Sequence, residues 1–137
     1  MTLVETMTAV GVIGIMASAL IRPWSAEADR SRVVTAQGQA LNAYRLGQSW
    51  ATALGRTVVV TIATDSVVVT TGPADSAVLF RSPGPSAAGV LLSPARHVAA
   101  FEPSGMASGA ANVTQVFSRG TIQRQLILSR LGRIRVN

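Results

Sequence analysis

Residues 1–21 read MTLVETMTAVGVIGIMASALI, a run that carries one charge, Glu5, before the next charge arrives at Arg22. As a helix this stretch is about 32 Å long at roughly 1.5 Å per residue, which matches a bilayer core of about 30 Å. Three readings compete for it. A secretory signal peptide needs a basic segment ahead of its apolar run. The run opens instead on MTLVET, although a small-residue cleavage site can be drawn near Ala26-Glu27-Ala28. A plain membrane anchor leaves Glu5 without a purpose, because a carboxylate in the hydrocarbon region costs roughly 2.5 kcal/mol or more unless it is paired. The third reading makes Glu5 a functional group whose partner is cationic.

The 137 residues leave room for one small domain plus an appendage. The chain has no cysteine, which excludes a disulfide framework and a thiolate metal site. Pro23 stands just past the apolar run, where a proline removes an intrahelical hydrogen bond and bends or breaks a helix. From about Ser25 to Leu54 the pattern is amphipathic. Val33, Ala36, Ala40, Ala43, Gly47, Trp50 and Leu54 recur at three- and four-residue steps, and Gly55 is placed to cap the end.

After Gly55 the period becomes that of strands. Residues 57–62 and 66–71 are rich in β-branched side chains and predict a hairpin. Residues 72–94 are dense in Gly, Pro and Ser and read as a loop region with short strand-like pieces such as Val78-Leu79-Phe80. Further strands are predicted at 97–101, 112–118, 122–129 and 133–136. The fold class that follows is α+β: one long N-terminal helix, apolar in its first half and amphipathic in its second, packed on an antiparallel β-sheet. Three segments are expected: 1–22 transmembrane, 23–55 the amphipathic continuation of the helix, and 56–137 the antiparallel sheet region.

Met1-Thr2-Leu3-Val4-Glu5 followed by an apolar helix resembles the mature N-terminus of type IV pilins and type II secretion pseudopilins. The resemblance implies a type IV pilin fold, and that a prepilin peptidase exposes Met1 as a processed, N-methylated terminus, an initiator methionine being the other reading. It implies that Glu5 pairs with the terminal amine of a neighbouring subunit during assembly. It also implies that Gly11, Gly14 and Pro23 loosen or kink the helix. Phe101-Glu102-Pro103-Ser104-Gly105 and the closing Ile127–Val136 resemble the Phe-x-Pro-x-Gly stretch and last hairpin of the GspH/FimT group of minor pilins and pseudopilins. That implies a single-pass protein of the bacterial inner membrane, with its globular region periplasmic or extracellular. Its partners would be other pilin or pseudopilin subunits and membrane lipid.

Charge supplies a separate observation. All twelve basic residues are arginine, and residues 56–137 hold eight of them against three acids. After Glu102 no acid occurs, while Arg119, Arg124, Arg130, Arg133 and Arg135 follow. In a last strand, Arg133 and Arg135 share one face and Ile134 and Val136 the other, with Gly132 allowing the turn before them. A guanidinium fork suits phosphate oxygens. This set, Arg130, Gly132, Arg133 and Arg135 with Arg119 and Arg124 as extensions, is therefore a candidate surface for double-stranded DNA.

Catalysis finds little support. His97 is the single histidine, the carboxylates are scattered, and no phosphate-binding glycine loop occurs. No catalytic residue, metal or cofactor is expected. Two functional classes stay open: an assembly subunit of a type IV pilus or type II secretion pseudopilus, and a DNA-capturing minor pilin of a competence system. A major pilin of the filament body is a further alternative.

Overall fold

The computed structural model describes residues 2–72, 77–108 and 112–137, apart from the side chains of residues 19–23. Its first element is a helix, α1 (Leu3–Leu54), of 52 residues. Thr2 stands before it in extended backbone, and its N–H donates to Glu5 Oε2 at 3.4 Å, the back-reaching half of a capping box. At the other end Gly55 takes the left-handed conformation, φ 59°, and its N–H donates to Ala51 O. A residue without Cβ adopts that conformation at little cost, so the helix stops where the expected glycine stands.

Among the described residues nine strands follow: β1 (Val58–Ala63), β2 (Ser66–Thr71), β3 (Val78–Pro83), β4 (Leu91–Ser93), β5 (Arg96–Phe101), β6 (Ala107–Ser108), β7 (Val113–Arg119), β8 (Ile122–Leu128) and β9 (Ile134–Val136). A short 3-10 turn, Pro85–Ala88, lies between β3 and β4. The strands divide into two antiparallel sheets, ordered β3-β2-β1-β5-β6 and β4-β7-β8-β9. The expected β1–β2 hairpin forms, in the register Val60↔Val69 and Ile62↔Val67. The β7–β8 hairpin closes tightly, with Arg119 opposite Ile122 across Gly120 and Thr121.

The second half of α1 lies against both sheets. Val33, Ala36, Ala40, Ala43, Tyr44 and Ala51 are buried with Val58, Val60, Ile62, Val67, Val69 and Phe101 of the first sheet and Phe117, Leu126 and Leu128 of the second. Small residues let the backbones approach, and Gly47 sets the limit. A Cβ built there would overlap Val60 Cγ2 and stand 3.4 Å from Phe101. Of the expected helix stripe, Trp50 is half-buried at the edge and Leu54 is exposed. Two turns of the stripe are instead completed by Tyr44 and Ala51.

A second line on α1 carries polar tips. Gln37, Tyr44 and Gln48 are spaced by seven and four residues and so share a side of the helix. Gln37 Nε2 donates to Gln125 O at 2.7 Å and to Asn137 O at 3.4 Å, which ties the helix to β8 and the end of the chain. Tyr44 reaches Gln115 on β7. Gln48 Nε2 donates to Gly105 O at 2.8 Å.

Candidate functional site

The first half of α1 has no cover from its own fold. Leu3, Val4, Met7, Val10, Val12, Ile13, Ile15 and Met16 are all exposed, Leu3 at 79% and Ile15 at 71%. Apolar side chains point in every direction around this part of the helix, as they do where the surroundings are lipid or other helices. Gly11 and Gly14 lie inside the helical span with nothing within 4 Å of a built Cβ. Among the described residues no helix is long and apolar enough to cross a membrane; the described side chains of this half run as far as Ser18. Met1 lies outside the described residues. α1 is one helical span through position 23, and the kink expected from the Pro23 ring falls on a side chain outside them.

Glu5 is exposed, and its bond to the Thr2 N–H gives it a local partner that a reading of charges alone does not provide. The carboxylate thus bends back along the helix, one turn, to the Thr2 N–H.

At the other pole, the two C-terminal motifs meet. The turn between β8 and β9 is closed by Gly132 N–H donating to Ser129 O at 2.9 Å, Ser129 N–H to Arg133 O at 2.9 Å, and Arg133 N–H to Ser129 Oγ at 3.1 Å. Gly132 is buried at φ 76°, and a Cβ there would stand 2.5 Å from Gly105 O and 2.9 Å from Gln48 Nε2. Both the positive φ and the close approach require glycine. The Gly105 turn, the Gly132 turn and the Gln48 amide of α1 therefore form one joint between the two sheets and the helix.

This turn presents its arginines outward. Arg130, Arg133 and Arg135 are exposed. Arg135 pairs with Ile127 and Ile134 with Leu128, so Arg135 takes the outer face of the sheet while Ile134 packs against the core. Val136, the expected second anchor, is 49% exposed. Arg133 and Arg135 line a hollow of about 300 Å³ together with Asn112, Ile127, Ser129 and Leu131.

Arg119 and Arg124 sit apart from this group. In β7–β8, Arg124 pairs with Phe117, and residues 117 and 119 share the helix-facing side of β7. Arg119 Nε donates to Asp29 Oδ1 at 2.5 Å, and its Nη1 donates to Ala88 O at 2.8 Å and Gly89 O at 3.0 Å. It braces α1, the 3-10 turn and the hairpin against one another. The outward-facing cluster of the candidate set is Arg130, Arg133 and Arg135.

His97 lies on the core face of β5. Its ring meets Tyr44 edge-on at a centroid distance of 6.5 Å, and burial pushes its pKa below the ordinary value. His97 Nε2 and Gln115 Nε2 are buried without a hydrogen-bond partner among the described residues. Among those residues, too, no three His, Asp or Glu side chains come together as a metal site.

No protein-family model matches the chain, and no curated protein matches it in sequence. Its likeness is to solved structures of the type IV minor pilin FimU of Pseudomonas aeruginosa. One crystal form superposes with a TM-score of 0.67 at 17% identity, covering 79% of this chain and 90% of that chain. A second gives 0.61 at 15% identity, covering 75% and 90%. The fold, a long N-terminal helix packed on antiparallel sheet, is type IV minor pilin-like.

Proposed function

We propose that this chain is a membrane-anchored minor pilin or pseudopilin subunit, built into a type IV pilus or a type II secretion pseudopilus through its N-terminal helix. The observation that carries the reading is the bare first half of α1, apolar on all sides and unburied from Leu3 to Met16. A patch of that size needs lipid before assembly and neighbouring helices after it. The sequence run 1–21 is long enough to span a bilayer, and the likeness in fold to FimU supports the pilin reading. The role is structural and not enzymatic. The test is to express the full chain with its machine, extract membranes with alkaline carbonate, and immunoblot the sheared filament fraction. The chain should resist extraction and appear in filaments at low abundance. Absence from both fractions overturns the reading, and an abundance matching the filament body makes it a major pilin.

A second function rests on a different observation. Arg130, Arg133 and Arg135 gather on the outer side of the last turn and strand, in a segment without acids after Glu102. This is the geometry of a phosphate-contacting surface, suited to capturing double-stranded DNA with little regard to sequence.

A further inference from the structure

Between the bare half of α1 and its buried half lies a short collar. Val33 is the first fully buried position among the described side chains of the helix. Before it, Trp24 is 78% exposed, and Glu27, Ala28, Arg30, Ser31 and Arg32 are exposed as well. Trp24, Glu27, Ala28 and Ser31 line one face. Nine residues at 100° each put Trp24 about half a turn from Val33, so the indole points away from the sheets.

An indole in that position, at the end of an apolar helical run, has the chemistry of the hydrocarbon–headgroup boundary: a flat apolar body with one polar N–H. The level fits too. The rise from Leu3 to Trp24 is about 32 Å, against a hydrocarbon core of about 30 Å. Arg30 and Arg32 start about 9 and 12 Å further along the axis. Helical side chains tilt toward the N-terminus, so both guanidinium groups reach back toward the headgroup layer. Neither forms an ion pair among the described residues, whereas Asp29, the residue before Arg30, is held by Arg119. That bond removes the nearest competing carboxylate and leaves Glu27 as the one exposed acid of the collar.

We propose that Trp24, Arg30 and Arg32 form a phospholipid-binding collar, the indole seated at the boundary and the guanidinium forks on the phosphates of anionic lipid. The collar sets the depth of the helix and hence the height at which the sheets stand above the membrane. This inference rests on the membrane-anchored reading and adds to it a headgroup site.

The test uses the full chain reconstituted into vesicles of phosphatidylcholine alone or mixed with phosphatidylglycerol. Co-flotation reads anchoring by itself. Tryptophan emission, measured for wild type and Trp24→Phe, isolates Trp24 from Trp50 by difference. The expected result is that Trp24 is quenched more by a headgroup-level quencher lipid than by a mid-chain one. Phosphatidylglycerol should also shield it further from acrylamide, and Arg30→Gln/Arg32→Gln should float normally yet lose that extra shielding. A floating chain whose Trp24 is quenched hardest at mid-chain, or is equally open to acrylamide in both vesicle types, overturns the collar. So does a double variant that keeps the phosphatidylglycerol effect. A chain that floats with neither vesicle overturns the anchored reading itself.

Discussion

The Tyr44 hydroxyl donates to Gln115 Oε1 across 3.1 Å, and both side chains are completely buried. This bond joins the helix to β7 inside a core that is mostly apolar, with the His97 ring beside it. Removing one partner strands the other, at about 1–3 kcal/mol. Tyr44→Phe should therefore lower the thermal midpoint of the full chain in detergent. Replacing both partners with apolar groups is closer to neutral, so Tyr44→Phe/Gln115→Leu should recover part of the loss. A double variant that falls by the sum of the two single losses would show that the pair is not coupled.

The same pocket predicts the pH profile. His97 and Tyr44 are the single residues of their types. Burial lowers the His97 pKa from 6.5 and raises that of Tyr44 from 10. The unfolded chain takes up a proton at His97 below pH 6.5 before the folded chain does, so this contribution is full above 6.5 and lost as pH falls below it. Tyr44 acts with the opposite sign: its contribution is full below pH 10 and lost as pH rises beyond that. His97→Gln should flatten the decline between pH 6.5 and 5, and Tyr44→Phe the decline above 10, both read as thermal midpoints.

Two helical glycines should respond oppositely to alanine. At Gly47 the new methyl meets Val60, an overpacking of the kind that costs about 1–3 kcal/mol. At Gly38 nothing lies within 4 Å, and replacing a mid-helix glycine stabilises by roughly 0.5–1 kcal/mol. Urea unfolding of the two variants in detergent checks the signs. Equal effects would mean that the helix does not approach β1 as closely as described.

Much of this architecture could be read from the residues alone. The end of α1 was marked by Gly55, and the β1–β2 hairpin by its runs of Val and Thr. The division into two sheets was not, because it depends on pairings between distant segments, β1 with β5 and β4 with β7, that no turn signal announces. Leu91–Ser93 was hidden in a Gly- and Pro-dense stretch. The candidate arginines divided for a similar reason: alternation orders Arg133 and Arg135 within one strand, but Arg119 finds its partner Asp29 ninety residues away. One missed signal did lie in the sequence, the seven- and four-residue spacing of Gln37, Tyr44 and Gln48 on one side of the helix.

Glu5 has a cap to complete and, in the proposed assembly, an amine to meet. Glutamine serves a capping box as well as glutamate does, so two substitutions separate the roles. Glu5→Gln should keep the helix start and stay in the membrane fraction, yet enter sheared filaments as poorly as Glu5→Ala. Normal incorporation of Glu5→Gln, seen by immunoblot, would leave only the cap as its role.

DNA capture is checked by gel shift with the full chain in detergent at low salt. Wild type should bind duplexes of unrelated sequence with similar affinity and weaken as salt rises. Arg133→Ala/Arg135→Ala should reduce the salt slope by about one unit for each phosphate that is no longer neutralised. No shift for wild type at low salt, or equal binding by the double variant, leaves the assembly role alone.

Gly47 and the alanines beside it divide labour with the sheets: the helix supplies a smooth rail, and the valines opposite supply the bulk. Drift is then channelled to one partner. Exchanges among Val, Ile and Leu on the strands keep volume nearly constant and cost under about 1.5 kcal/mol, whereas the rail accepts almost nothing larger than what it has. Strands and loops can then be rewritten freely while the helix stays legible in outline, which suits a fold seen in two chains that are only 17% identical.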